Sequence, residues 1–186
     1  MGDKKGERYS MDVDLGVLEP SDFPEVYDIM EESFPASEVR PYEKARELID
    51  HPDYNILAVK SPKGKLGGFL AVWNFPTFNF AEYFAISKKL RGKGLGSAAL
   101  KRFLKRNKKP LVLEVEAFNT TTAKRRVRFY ERLGFVRNDI TYIEPPTEEG
   151  ETPIPLTIMS YPHTIPQEKR QEVKALIFKQ VYGMSI

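Results

Sequence analysis

The segment Arg91-Gly92-Lys93-Gly94-Leu95-Gly96 sets three glycines at alternate positions just ahead of a helix-forming stretch. Without Cβ atoms in the way, consecutive backbone N–H groups can point at phosphate oxygens, and the helix adds its positive N-terminal end. Lys88 to Lys109 contains ten basic residues and no acid, so this stretch suits an anionic, phosphate-bearing ligand. Proton transfer has its own candidates. Glu82 shares the alternating face of Phe80, Phe84 and Ile86 in a strand-like segment, and Glu114 takes the face opposite Leu113 and Val115 in another. The competing reading of either glutamate is a solvated strand-edge carboxylate or an ion-pair partner. Glu116 is expected to be structural or solvent-facing. His51 and His163 each neighbour a proline in loop-like sequence and are expected to be structural or exposed. The chain has no cysteine, which removes disulfides, thiolate metal ligands and a sulfur nucleophile, and no metal site is expected.

The scaffold is that of one soluble globular domain: 186 residues, 41% apolar and 30% charged. Its net charge of +3 is mild, but Glu144, Glu148, Glu149 and Glu151 gather in one proline-rich excursion, apart from the basic run. No stretch reaches membrane-spanning length and the first residues carry no apolar leader, so a cytoplasmic protein without membrane contact is expected. Residues 1–12 read as a flexible N-terminus and Val13–Leu18 as the first strand. Ser21 can cap a helix whose apolar positions are Phe23, Val26, Tyr27, Met30 and Phe34, and a second helix runs from Pro41 to Asp50. Strands follow at Asn55–Lys60 and Leu66–Trp73, around a hairpin turn at Ser61–Lys65, and a fourth at Phe78–Ile86. The aromatic loop between Trp73 and Phe80 could line a ligand pocket or close the core. A helix with Leu95, Ala99 and Phe103 on one face ends before Pro110, and a fifth strand covers Leu111–Glu116. Asn119 and the threonines after it can cap a helix over Ala123–Leu133, closed by Gly134. Strands at Phe135–Tyr142 and Leu156–Tyr161 precede an amphipathic tail from Gln167 to Tyr182, with Val173, Leu176, Ile177 and Val181 as its stripe. That tail could dock on its own sheet or pair between subunits of a homodimer. The order predicts a mixed α/β domain with the glycine turn at the carboxyl end of strand four.

Gly94-Leu95-Gly96-Ser97-Ala98-Ala99 also satisfies the dinucleotide fingerprint G-x-G-x-x-[GA], with Glu114 and Glu116 about 20 residues on, where a ribose-binding acid would fall. A Rossmann-type NAD-dependent oxidoreductase is therefore one reading. Against it, the seven residues Ser87 to Lys93 separate the strand from the glycines, and only one βαβ unit is visible. No Walker A pattern occurs. Including the arginine, Arg91-Gly92-Lys93-Gly94-Leu95-Gly96 resembles the R/Q-x-x-G-x-G/A signature of the GNAT family, the GCN5-related N-acetyltransferases. A second segment, Phe129-Tyr130-Glu131-Arg132-Leu133-Gly134-Phe135, is similar to the family's F/L-Y-x-x-x-G-F element, in the right order along the chain.

The resemblance implies a GNAT-like domain over residues 13–161, a C-terminal helical extension over 162–186, and a mostly antiparallel sheet of six to seven strands splayed between strands four and five. It implies acetyl-coenzyme A as co-substrate. Arg91, Gly92, Lys93, Gly94, Leu95, Gly96, Ser97 and Asn119 would hold the coenzyme, and the backbone N–H groups of Ala85 and Ile86 would polarise the thioester. The acceptor would be a small-molecule or peptide amine. An alkylammonium is only about 0.04% neutral at pH 7, so a base matters. Glu82 resembles the strand-four glutamate of some family members, and Glu114 matches the glutamate of the ribosomal-protein N-terminal acetyltransferases. Tyr130 matches the family's acid for the departing thiolate, with a buried core tyrosine as the structural alternative. A non-catalytic acyl-coenzyme A binding or sensing module would keep the same glycine turn. No nucleic-acid partner is expected, because the basic helix comes without a recognition motif.

Overall fold

A computed structural model of the protein describes residues 13–116, 120–143 and 155–184. In chain order the elements are β1 (Asp14–Val17), α1 (Phe23–Ser33), α2 (Tyr42–Glu47), β2 (Tyr54–Lys60), β3 (Leu66–Asn74), β4 (Asn79–Ile86), α3 (Leu95–Arg106), β5 (Leu111–Glu116), α4 (Thr121–Glu131), β6 (Val136–Ile143), β7 (Pro155–Tyr161) and α5 (Arg170–Gln180). Backbone hydrogen bonds order the strands β1-β2-β3-β4-β5-β7-β6. The expected mixed α/β sheet is present with seven strands. β1 pairs antiparallel with β2, and β7 pairs antiparallel with both β5 and β6. β4 and β5 run parallel, in register over Asn79–Ala81 with Leu111–Leu113. That ladder ends one residue before Glu82 and Glu114.

Two compact units share this topology: residues 13–72 with 83–108, and residues 73–82 with the chain from 109 onward. In the first unit, Phe23, Val26, Ile29 and Met30 are the buried face of α1. β3 is buried at every residue from Leu66 to Trp73, the pattern of a strand covered on both faces. Its hairpin turn closes through Ser61 N–H to the Lys65 carbonyl at 2.8 Å, with Gly64 at a φ of 74°. Two local expectations are corrected in this unit. Ser21 does not cap α1: a 3-10 turn over Pro20–Asp22 takes the entry, and Asp22 stands at the cap without a side-chain bond. The second helix is also shorter than expected, because its last residues, Leu48–Asp50, tighten into a 3-10 turn before His51-Pro52.

In the second unit the core holds Phe80, Leu111, Ile158, Met159 and Ile177, all within 1% of complete burial. The aromatic loop is core rather than pocket wall: Trp73, Phe75 and Phe78 are buried, Trp73 stacks on Phe75, and Phe75 meets Phe78. Lys109 closes the loop by donating to Asn74 Oδ1 and to the Phe75 carbonyl. α4 has the expected threonine cap, Thr120 Oγ1 accepting from Ala123 N–H at 3.0 Å. Its far end has Gly134 at a φ of 91°. The amphipathic tail docks on its own sheet, with Val173, Ile177 and Phe178 buried and the Phe178 ring 5.1 Å from that of Tyr142. Among the described residues no helix is long and apolar enough to cross a membrane.

Candidate active site

The glycine turn lies in the first unit. β4 ends at Ile86, a 3-10 turn covers Lys88–Leu90, and Gly92 and Gly94 both adopt left-handed backbone, at φ 77° and 83°. Glycine is required there by conformation, since a Cβ at either position would meet no protein atom within 4 Å. Gly94 caps α3, whose first helical bond is Ala98 N–H to the Gly94 carbonyl. The N–H groups of Leu95, Gly96 and Ser97 precede it and by helix geometry have no acceptor within the helix. Gly92, Lys93 and Gly94 are exposed, Leu95 is buried, and Gly96 and Ser97 are half-buried. These donors with open space around the glycines fit a pyrophosphate.

Arg91 braces this turn through its side chain. Its Nε donates to the Ile86 carbonyl at 2.7 Å and its Nη2 to Ser33 Oγ, at the end of α1, at 2.9 Å. Lys88 N–H adds a 3.3 Å bond to Glu32 on the same helix. Arg106 of α3 likewise donates to the Leu15 carbonyl. Arg91 and Arg106 of the basic run thus anchor main chain.

The second unit holds the titratable candidates. Glu82, half-buried, accepts a 3.0 Å bond from Trp73 Nε1–H. Glu114, also half-buried, accepts from the Tyr142 hydroxyl on one oxygen and from the Tyr182 hydroxyl at 2.7 Å on the other. Glu116 pairs with Arg126 at 3.1 Å. Tyr130 is buried on the same face of α4 as Val127, its ring edge-on to Phe129 and Phe135. Burial pushes its phenol up to about 12, with the Arg126 guanidinium pulling the other way. His163 is exposed, and His51 accepts from Asp53 N–H in its own turn. Asn119 and the Glu144–Glu151 excursion lie outside the described residues. Among the described residues no group of three or more His, Asp or Glu side chains could hold a metal ion.

Residues 23–135 match the model of the acetyltransferase (GNAT) family. The chain belongs to the GNAT family. It is 29% identical to a solved Bacteroides thetaiotaomicron protein provisionally named a GNAT-family acetyltransferase, covering 92% of this chain and 99% of that one with a TM-score of 0.85. YjbC of Bacillus subtilis (strain 168), provisionally named an acetyltransferase, is 32% identical over 117 residues, 51% of this chain but 60% of that protein. The ribosomal-protein-S18-alanine N-acetyltransferase of Escherichia coli has the same fold at 24% identity, with a TM-score of 0.61 and coverage of 84% and 97%.

One pair of residues in this GNAT chain escaped the sequence reading. A Cβ at Gly68 would stand 2.3 Å from the Ala85 carbonyl oxygen and 3.1 Å from the Ile86 Cα. At Gly67 it would stand 2.7 Å from a Leu95 methyl, while the Gly67 carbonyl accepts from Ser87 N–H at 2.9 Å. The exit of β4 is therefore seated on a glycine floor. The signal was Leu66-Gly67-Gly68-Phe69 itself, since paired glycines inside a strand mark a close backbone approach.

Proposed function

We propose that the chain is an N-acetyltransferase that moves acetyl from acetyl-coenzyme A to a primary amine. Family membership supports the reaction class, and the observation that carries the cofactor is the turn of left-handed Gly92 and Gly94 opening onto the first N–H groups of α3. Gly92 to Ser97 would bind the pyrophosphate through main-chain N–H groups, with Lys93 adding charge, Arg91 holding the turn in shape and Asn119 a further contact. Acetyl-coenzyme A supplies the activated acetyl group as a thioester. The N–H groups of Ala85 and Ile86 would orient and polarise the thioester carbonyl. Glu114 or Glu82 would take the proton from the ammonium, directly or through water, and Tyr130 would hold its proton at Oη for the departing sulfur. A phenol pushed up to about 12 stays protonated across the working range, as an acid in that role must. With no cysteine in the chain to carry the acetyl group, the amine attacks directly in a ternary complex.

Small amines, lysine side chains and peptide N-termini are the acceptor classes to compare. The work would take place in the cytoplasm, without metal. Calorimetric titration with acetyl-coenzyme A, coenzyme A and NADH, repeated on Gly94→Glu, tests the cofactor. Micromolar binding of acetyl-coenzyme A that disappears in the variant is expected, followed by turnover with at least one of spermidine, a lysine peptide or an alanine-initiated peptide. Binding of NADH alone would overturn the proposal. Tight acetyl-coenzyme A binding without transfer to any amine would instead favour a sensing module.

A further inference from the structure

Of the two candidate bases, Glu114 is gripped by the C-terminal segment, which lies beyond the family-matched residues 23–135. Its two oxygens are divided between two phenols, Tyr142 on β6 and Tyr182 just past α5. Tyr182 reaches Glu114 because the chain folds back immediately after it. Gly183 takes a φ of 67°, and the Met184 N–H returns to the Phe178 carbonyl at 2.8 Å. The two phenols are also joined through one ring: Phe178 lies edge-on to Tyr142 at 5.1 Å and to Tyr182 at 5.7 Å. The Lys174 ammonium sits over both the Tyr142 and Phe178 rings, at 5.7 and 5.4 Å. Two donors on different elements, each fixed by a neighbour, leave a carboxylate little rotational freedom.

We infer that Tyr182, with Tyr142, is a positioning residue that sets the orientation of the Glu114 carboxylate for proton removal from the acceptor amine. The C-terminal turn thereby becomes part of the catalytic apparatus. This rests on the acetyltransferase reading in the form where Glu114 is the base. A carboxylate has lone pairs beyond the two it gives to the phenols, so both O–H groups can hold it while it accepts from an amine or a bridging water.

The test is Tyr182→Phe, which removes one oxygen and keeps the ring against Phe178, with Tyr142→Phe as the second variant. Each is assayed with spermidine, a lysine peptide and an alanine-initiated peptide, alone and in a Glu114→Gln background. The expected result is a fall in kcat of about 10-fold, an unchanged KM for acetyl-coenzyme A, and less than about a 2-fold further loss in the Glu114→Gln background. The carboxyl carbon resonance of Glu114 should move in both single variants. Tyr182→Phe turning over within about 2-fold of the parent chain, or losing as much with Glu114→Gln as without it, would overturn the inference while leaving acetyl transfer intact. An unmoved Glu114 resonance would overturn it without recourse to any acceptor. Failure of the parent chain to transfer acetyl to any amine would instead remove the reading beneath it.

Discussion

The region around the glycine turn and the region around Glu114 and Tyr130 are built from different materials. In the first, the groups that the proposed coenzyme site would offer are main-chain N–H donors, and the side chains serve to hold that main chain still: Arg91 grips the Ile86 carbonyl and Ser33, and Gly67 and Gly68 make room for the end of β4. In the second, the groups proposed to act are a phenol and carboxylates, and the carboxylates' neighbours are other side chains, Trp73, Tyr142 and Tyr182. A site made of backbone tolerates changes of side-chain chemistry but not changes of shape. A site made of side chains does the reverse.

The largest effect that would separate the two regions is chemical. Tyr130→Phe changes no shape, and it should lower kcat about 100-fold while calorimetry finds acetyl-coenzyme A affinity unchanged. A loss confined to affinity would place Tyr130 on the binding side and break the contrast. The same residue predicts alkaline behaviour. Its phenol titrates at 10.0 when freely solvated, as in the unfolded chain, and at about 12 in the fold, so between those values the unfolded chain binds fewer protons than the folded one. Stability that is complete below pH 10 is then lost as the pH rises towards 12, by at most about 2–3 kcal/mol, and Tyr130→Phe should lack that decline in denaturant titrations. Next in size is a change of shape without chemistry. Gly68→Ala, whose Cβ would meet the Ala85 carbonyl at 2.3 Å, should cost about 1–3 kcal/mol in thermal unfolding and weaken acetyl-coenzyme A binding, with little change in kcat at saturation. Gly134→Ala makes a comparable demand in the other region, at a φ of 91° with the Tyr161 ring 3.2 Å away. It should cost about 1–2 kcal/mol and leave coenzyme affinity alone. Smallest is Thr120→Ala, which removes the α4 cap and should lower the unfolding free energy by about 1 kcal/mol with no preference between binding and rate.

The order of the elements was legible because each is announced locally, by alternation, by threonine at the α4 cap and by Gly134 at its end. The faces of Glu82 and Glu114 were legible for the same reason, as alternation alone assigns them. Their partners were not. Tyr182 stands 68 residues from Glu114, and Ser33 stands 58 from Arg91, distances over which no periodicity carries information. The charge of Arg91 and Lys109 was legible but the acceptors they find, the Ile86 and Phe75 carbonyls among them, were not. Ser21 misled because a cap residue states a capacity, and the preceding Pro20 favoured a 3-10 entry that made the cap unnecessary. The paired glycines of β3 were visible but had no meaning until the Ala85 carbonyl was seen beside them.

Arg91, Arg106 and Lys109 each donate to a main-chain carbonyl, which is a neutral acceptor. Their bonds fasten the fold without cancelling their charge. The long-range positive potential of the basic run therefore survives the local work its members do, and an anionic ligand approaching from solution is drawn by cations that need never touch it. Capture of such a ligand should slow as ionic strength shortens the reach of that potential, while the anchors themselves, held at hydrogen-bond distance, stay in place.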